Sequence, residues 1–209
     1  MSDFRRVKIS NVEFVFPNLH SLVYFDRNYN NGEGKKKGKT VECTADNPQA
    51  NWNVSFTMEE VRAKKFYKMC EDHFKASCGK KEPFGAVHGY YETTYDDALQ
   101  MRFKASKKAK DSKGKLQQEP TVVDAYDVPL ENKQFFNGSK GDIIVTMFPA
   151  DNPSTKKKGI SLIVNKVTVT NPVYGAEDYE EFDDVKSNMD APNFERDPNN
   201  SEFDDEIPF

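Results

Sequence analysis

Seven cations lie within the 14 residues of segment 102–115. They begin inside segment 99–106, where apolar and polar residues alternate as they do in a strand with one buried face. The cations lie on the exposed side of this predicted strand and continue into the loop that follows it. A cationic row of this kind attracts polyanions, so the pattern predicts contact with nucleic acid. The candidate phosphate contacts in this segment are Arg102, Lys104, Lys107, Lys108 and Lys110.

Tyrosines accompany the lysines of this chain. Tyr24 precedes a second lysine cluster at 35–39, and Tyr90 and Tyr91 precede segment 99–106. Unpaired nucleic acid is held by cations on its phosphates and by rings that stack on its bases, at about 1–3 kcal/mol per base. The three tyrosines are therefore candidate stacking residues, with core packing as the alternative for each of them. The candidate lysines of the second cluster are Lys35, Lys36 and Lys37.

Most of the first 172 residues have the pattern of strands. Apolar residues alternate with polar ones over 52–56, and segment 143–148 is apolar on both faces, as a central strand would be. The apolar phase slips at Ser10-Asn11 and near Asn165, which predicts bulges there. The alternation predicts a core position for Trp52, which we keep as a candidate nucleic-acid contact because the open face of a barrel can present a tryptophan. Five or so strands predict a small β-barrel with long insertions.

One helix is predicted within this body. Thr57-Met58-Glu59-Glu60 matches a capping box, in which the threonine begins a helix and the glutamate three residues later bonds back to it. Apolar residues then recur at helical spacing over 58–77, and Gly79 ends the run. The predicted fold class is mainly β with one embedded helix.

Charge is segregated along the chain, although the formal net charge is only −4. Residues 1–172 carry a net +7, whereas residues 173–209 hold 13 acidic and two basic residues, a net −11. The second segment has no helical or strand period, and its aromatic residues stand singly among carboxylates, which is typical of a disordered tail that offers isolated anchors to partners. We expect a folded domain over 1–172 and a disordered acidic tail over 173–209.

Composition argues against several classes of protein. The apolar stretches are far shorter than the roughly 18 residues that a membrane span needs, and no apolar signal core follows Met1. Three cysteines without a CxxC pair argue against a disulfide-stapled secreted domain. We expect a protein of the cytoplasm with no membrane partner.

Three patterns in the sequence resemble catalytic or metal-binding sites. Segment 32–40 imitates a phosphate-binding P-loop, but Glu33 stands where the first glycine belongs and no helix pattern follows. Cys70, His73 and Cys78 have spacings seen in zinc sites, but the first two lie on the apolar stripe of the predicted helix. Several carboxylates could hold Mg²⁺ for a nuclease, but nothing in the sequence groups them into one site. They are Asp96, Asp97, Asp124, Asp127 and Asp142. We therefore expect no enzyme activity, cofactor or metal.

The last seven residues resemble the C-terminal peptide of bacterial single-stranded DNA-binding proteins, in which an acidic run ends in Ile-Pro-Phe and docks replication and repair partners. The phenylalanine would fill a pocket while its terminal carboxylate and the flanking acids meet cations. By this resemblance the partner-binding residues are Asp204, Asp205, Glu206, Ile207, Pro208 and Phe209.

The body is similar in its order of elements to phage single-stranded DNA-binding proteins, which have one elaborated OB-fold and an acidic tail ending in phenylalanine. The resembling features are the basic strand 99–106, the helix over 58–77, and the segments Gly141–Val145 and Gly159–Val164. The resemblance implies sequence-independent coating of single-stranded DNA in phage replication, recombination and repair. It also implies contacts with the polymerase and helicase-primase, a host-cell cytoplasmic location and a homodimer formed through the tail. The Ile-Pro-Phe ending favours recruitment of host proteins instead of that dimer.

Other classes stay open at this stage. A recombination protein that anneals complementary strands would show the same charge pattern, and a metal-dependent nuclease on a β scaffold is a further alternative. RNA is an alternative ligand, because stacking and phosphate contacts do not by themselves distinguish the sugars.

Overall fold

The computed structural model describes residues 4–29, 38–95, 98–151 and 157–173. The chain divides into two units, Met1–Gly175 and Ala176–Phe209, and all the described residues belong to the first. The described elements are β1 (Arg5–Asp26), β2 (Lys39–Glu42), β3 (Asn51–Thr57), α1 (Glu60–Cys78), β4 (Ala86–Val87), β5 (Tyr91–Tyr95), β6 (Ala98–Lys108), β7 (Thr121–Asp124), a 3₁₀ helix (Glu131–Lys133), β8 (Lys140–Asp151) and β9 (Lys158–Asn171).

Five of these strands close into a barrel. The long strand β1 pairs with β8 through its first half and with β3 through its second half. β3 pairs with β6, and β8 pairs with β9, all of them antiparallel. The barrel closes where β6 meets β9 in parallel at Ala105 and Leu162. A closed five-stranded barrel with one helix and long insertions is an OB-fold, which confirms the predicted fold class.

The core fills the barrel and the space beneath α1. Inward side chains such as Phe14, Val54 and Phe103 have no exposed surface. The helix adds Phe66, whose ring meets that of Phe103 edge-on at 5.1 Å between centroids. Edge-to-face ring pairs add about 0.5–1.5 kcal/mol to the free energy already gained by burying the rings. The helix is thereby fixed against the barrel interior.

Both predicted bulges are confirmed. The pairing of β1 with β8 shifts between Ile9 and Val12, and Asn11 adopts a φ of 52°. Its N–H donates to Asp142 Oδ1 at 3.1 Å, which holds the bulge. The register between β9 and β8 shifts by one residue, so that Asn165 has no paired residue in β8. The phase slip in the sequence was therefore a reliable sign of an extra residue in the strand.

The predicted capping box is wrong. α1 begins at Glu60, and the residue before it, Glu59, makes no side-chain cap hydrogen bond. Thr57 instead ends β3, where it pairs with Arg102 and is only 9% exposed. The predicted end of the helix is correct, because Gly79 has a φ of 95° and donates its N–H to the Lys75 carbonyl at 3.1 Å.

Within the part of the chain that the structure describes, no helix is long and apolar enough to cross a membrane.

Cys70 lies in the core with its Sγ 3.5 Å from Met147 Sδ, and burial raises the pKa of this thiol to about 12. The described residues contain no cluster of three or more side chains able to hold a metal ion.

Candidate nucleic-acid interface

The outward surface of β3 and β6 forms a polar trough, which we call the β3–β6 face (residues 51–57 and 102–108). The outward side chains of β3 are short and polar, and Asn53, Ser55 and Thr57 are only 6–9% exposed. They are hidden because the longer side chains of the neighbouring strand rise beside them: Thr57 lies opposite Arg102 and Ser55 opposite Lys104. β3 thus forms the floor, and β6 supplies a cationic wall.

Three of the predicted cations lie on this face. Arg102 and Lys104 are on the outward side of β6, as the alternation predicted, and Lys108, which was predicted for the loop, is on the same side because β6 extends to it. Lys104 is exposed, but Gly89 packs directly on its stem, since a Cβ at that glycine would lie 2.8 Å from the Cβ of Lys104. Desolvation by the surrounding protein lowers the pKa of Lys104. A phosphate placed here would meet a cation that is already partly stripped of water.

Lys107 does not share this position. β6 extends to Lys108, so Lys107 lies on the inward side of the strand, half-buried and opposite Trp52. Desolvation lowers its pKa as well. The prediction placed Lys107 in the solvated loop, and the structure corrects this because the strand is two residues longer than the alternating segment.

Arg102 contacts two aromatic rings at one end of the face, and we call these three side chains the Phe16–Arg102–Tyr91 cluster. Its guanidinium carbon lies 5.4 Å from the centroid of Phe16 and 5.0 Å from that of Tyr91. It also donates from Nη1 to the Tyr91 hydroxyl at 2.6 Å, while its buried Nε has no hydrogen-bond partner. Both rings are accessible, with Phe16 57% and Tyr91 39% exposed. A guanidinium is thus held beside two rings that bases could reach.

Phe16 was not predicted as a site residue. Val12 and Phe14 face the core at alternate positions of β1, and continued alternation would have placed Phe16 in the core as well. The backbone instead turns at Phe16, whose φ of 50° is unfavourable for a bulky residue. Its N–H donates to Asn137 Oδ1 at 2.6 Å and its carbonyl accepts from Asn18 Nδ2 at 3.1 Å. The one sign in the sequence was the proline that follows it, which disfavours a continuous ladder.

Tyr91 is the one predicted tyrosine that borders the β3–β6 face, where it pairs with Arg102 from β5. Tyr90 is half-buried, with its ring 5.1 Å from that of Phe103 and 4.8 Å from that of Tyr67, so it packs against the core. Trp52 is 8% exposed and belongs to the core, as the alternation predicted. The outward row of β3 is polar, and the tryptophan of this strand lies on its inward side.

Tyr24 lies away from Arg102, near the opposite end of β3. It is half-buried and lines a small cleft between the end of β1 and the loop at 47–49. Its neighbour Phe25 is 53% exposed. The lysines Lys35, Lys36 and Lys37, which follow in sequence, fall outside the described residues. β2 begins at Lys39, which pairs with Asp26 of β1.

The lysine loop after β6 is held against the start of β3. Ala109 donates its N–H to the Ala50 carbonyl at 2.9 Å, and Lys110 pairs with Asp46 at 3.3 Å. Asp111 Oδ1 accepts the backbone N–H groups of Lys113 and Lys115 at 2.8 and 2.9 Å. Lys113 and Lys115 are exposed in this turn, whereas Lys110 is paired with Asp46.

A short segment at 134–139 supports Phe16 and also holds Val173, the last described residue. Gly138 donates its N–H to the Phe14 carbonyl at 3.0 Å, and Phe136 donates its N–H to the Val173 carbonyl at 3.0 Å. The N–H of Val173 donates to Ser139 Oγ at 2.8 Å. Val173 is therefore held by the same segment that supports Phe16.

The carboxylates considered for metal binding have structural partners. Asp124 Oδ1 accepts two backbone N–H groups of its own turn, from Tyr126 and Val128, at 2.8 and 2.9 Å. Asp127 pairs with Lys166. Asp142 pairs with Lys8 at 2.7 Å and accepts from the bulge at Asn11, and although burial opposes this, these contacts hold its pKa below the usual range. Asp96 and Asp97 lie outside the described residues, as do the tip residues 204–209.

No protein-family model matches this sequence, and neither does any curated protein. The fold, however, is shared with two solved phage proteins. One is gp2.5, a single-stranded DNA-binding protein encoded by bacteriophage T7, with a TM-score of 0.52 and 13% identity over 85% of this chain and 96% of that chain. The other is the single-stranded DNA-binding protein of bacteriophage Enc34 in complex with single-stranded DNA, with a TM-score of 0.50 and 12% identity over 82% of this chain and 89% of that chain.

Proposed function

We propose that this protein binds single-stranded DNA without sequence specificity and coats it during phage DNA replication, recombination and repair. The observation that carries the proposal is the β3–β6 face, where Arg102, Lys104 and Lys108 line a polar trough that ends in the Phe16–Arg102–Tyr91 cluster. OB-folds bind oligonucleotides on the face of their second and third barrel strands, which here are β3 and β6. The shared fold with the T7 and Enc34 proteins supports the same ligand.

The chemistry of the trough suits a strand of any sequence. Cations hold phosphates, which are identical at every nucleotide, and rings stack on bases, which all have a π-face. The trough floor of Asn53, Ser55 and Thr57 offers hydrogen-bonding groups without net charge. The binding is therefore non-enzymatic and needs no metal or cofactor.

The acidic segment regulates this binding in our proposal. A net −11 over 173–209 competes with phosphates for the cationic body, and Val173 is anchored beside the site at Phe136 and Ser139. Bound DNA displaces the segment and frees its tip, residues 204–209, to dock a polymerase, a helicase-primase or host replication proteins in the host-cell cytoplasm. A homodimer formed through the same segment is the alternative use of the tip.

A titration of labelled oligonucleotides by fluorescence anisotropy tests the ligand. The full chain should bind a single strand more tightly than a duplex of the same length. Log affinity should fall linearly with log salt, at about −0.7 per phosphate contacted on a single strand. Equal affinity for the two forms, or no effect of salt, would remove the proposal.

Two variants test the surface in the same assay. Lys104→Ala should weaken binding and make the salt slope shallower by about 0.7, because one phosphate contact is lost. Lys65→Ala, which removes an exposed lysine of α1, is the matched control and should change neither quantity. A slope that changes with Lys65 and not with Lys104 would place the binding surface elsewhere.

A further inference from the structure

A second concave surface begins where the β3–β6 face ends. This groove, which we call the Phe16–Phe136 groove, has a volume of about 540 Å³ and lies between the bend of β1 and segment 134–137. Two of its lining rings are accessible, Phe16 at 57% and Phe136 at 45%. Among the described residues none that line it is lysine, arginine, aspartate or glutamate, and His20 is its one titratable side chain. The groove therefore differs in chemistry from the cationic face beside it.

The walls of the groove are tied together. Phe16 N–H donates to Asn137 Oδ1 at 2.6 Å, which joins the bend of β1 to the opposite segment. Phe14 N–H donates to the Ser139 carbonyl at 2.8 Å, and the buried Phe135 ring meets Phe14 edge-on at 5.2 Å. A site that is already formed binds its ligand without the free-energy cost of ordering loops.

The lining fits a planar, uncharged, heteroaromatic ligand. Exposed phenylalanine rings offer faces for stacking, and the amide groups of Asn18 and Gln134 can both donate and accept hydrogen bonds at a ring edge. The volume lies within the roughly 300–1,000 Å³ of small-molecule sites. A phosphate has no cationic partner in this lining, apart from His20 when protonated.

Phe16 links the two surfaces. Its ring lies 5.4 Å from the guanidinium of Arg102 on the face, and the same side chain lines the groove. A strand whose phosphates follow Arg102 and Lys104 would therefore bring a base to the mouth of the groove. A base can enter only if it has left its stack and its pairing partner, which costs a few kcal/mol in a duplex and much less in a single strand.

We propose that the Phe16–Phe136 groove is a nucleobase pocket that takes an unstacked base of the bound strand and thereby supplies the preference for unpaired over paired DNA. The proposal rests on the proposed function and adds the site that distinguishes the two forms of DNA. The cationic face alone would hold the phosphates of either form.

The test uses the full chain and its Phe136→Ala variant with three ligands of equal length: a single strand, a duplex and a strand of abasic nucleotides. Removing one stacking ring should weaken single-strand binding about tenfold. Binding to the duplex and to the abasic strand should not change, because both lack a base able to enter the groove, and the salt slope should stay constant because no phosphate contact is lost.

Three further variants sharpen this test. Phe136→Trp keeps a flat ring and should restore the single-strand preference, and Phe16→Ala should reproduce the loss. Phe4→Ala is the matched control, since Phe4 is 56% exposed and stacks on Phe148 outside the groove. Its affinities should equal those of the unaltered chain.

Other outcomes overturn the pocket in distinguishable ways. If the unaltered chain prefers single strands and Phe136→Ala leaves that preference intact, the pocket is wrong while the proposed function stands. If Phe136→Ala tightens binding to all three ligands, the groove holds a ring of the acidic segment and not a base. If the unaltered chain shows no single-strand preference, both proposals fall.

Discussion

At the scale of residues, the contacts of Arg102 with Phe16 and Tyr91 determine what the guanidinium can do. Its central carbon lies 5.4 and 5.0 Å from the two ring centroids, and the Tyr91 hydroxyl accepts from Nη1 at 2.6 Å, so only part of its edge is left for a ligand. Cation–π contacts of this kind contribute about 0.5–1 kcal/mol each at exposed sites. Arg102 is therefore ordered before DNA arrives, and it presents an in-plane edge suited to phosphate oxygens.

Lys104 makes binding sensitive to pH. Desolvation lowers its pKa, so this lysine loses its proton at a lower pH than an exposed lysine would. A phosphate favours the protonated form, and binding therefore takes up a proton in the alkaline range. We expect affinity to fall as the pH rises toward the lowered pKa.

Lys104→Arg should reduce this fall, because a guanidinium stays protonated throughout the range. Binding is measured by fluorescence anisotropy with an oligo-dA strand between about pH 7 and pH 10. Adenine bases do not ionise in this range, and its upper end lies just below the usual pKa of lysine. Lys65→Arg is the control and should follow the unaltered chain. A Lys104→Arg profile as steep as that of the unaltered chain would contradict the assignment.

At the scale of elements, β3 is buried on both sides. Val54 and Phe56 face the core, while Asn53 and Ser55 form the floor of the trough. The strand is held between β1 and β6, whose pairings fix which side chains flank it. The trough is thus a property of three neighbouring strands rather than of one basic segment.

The position of Trp52 in β3 predicts a fluorescence result. It is the only tryptophan of the chain and is 8% exposed on the core side, so saturation with single-stranded DNA should change its emission little. A Phe16→Trp variant, made with Trp52→Phe, places the only indole on the binding surface and should be strongly quenched by the same DNA. Strong quenching of the unaltered chain would contradict the core position.

Much of the barrel could be predicted from the sequence because strands with one buried face leave a period of two. The phase slips at Asn11 and Asn165 correctly indicated bulges. The capping box predicted at Thr57 is wrong, because this residue is the last of β3. Its pairing with Arg102 outweighs the local capping motif.

The candidate site was only partly predictable for a related reason. The outward positions of Arg102 and Lys104 follow from alternation within one strand. The groove depends on contacts between distant segments, such as Phe16 with Asn137, which no local pattern records. Tyr91 could be named from its type, but its neighbour Tyr90 has the same type and packs against the core.

At the scale of the whole molecule, a cationic barrel and an acidic segment of net −11 belong to one chain. Val173, at their junction, is fixed to segment 134–139 by hydrogen bonds of 2.8 and 3.0 Å. The competition that we propose is between this segment and DNA for the same cationic surface.

Deleting residues 200–209 should tighten binding to single-stranded DNA, because the net +7 body loses part of its internal competitor. The gain should be largest at low salt and should shrink as salt screens both polyanions. Anisotropy titrations of the two chains across a salt series measure it. Equal affinities at every salt concentration would exclude competition while leaving the binding surface itself intact.

The most direct test of the account is to map backbone amide shifts by nuclear magnetic resonance while a single-stranded oligonucleotide is added to the full chain. We predict that the large shifts fall on β3, β6, the bend of β1 at Phe16 and segment 134–139. α1 and the paired surface of β8 and β9 should change little. Large shifts confined to α1, β8 and β9, or no shifts at saturating oligonucleotide, would contradict the assignment of the β3–β6 face as the DNA-binding surface.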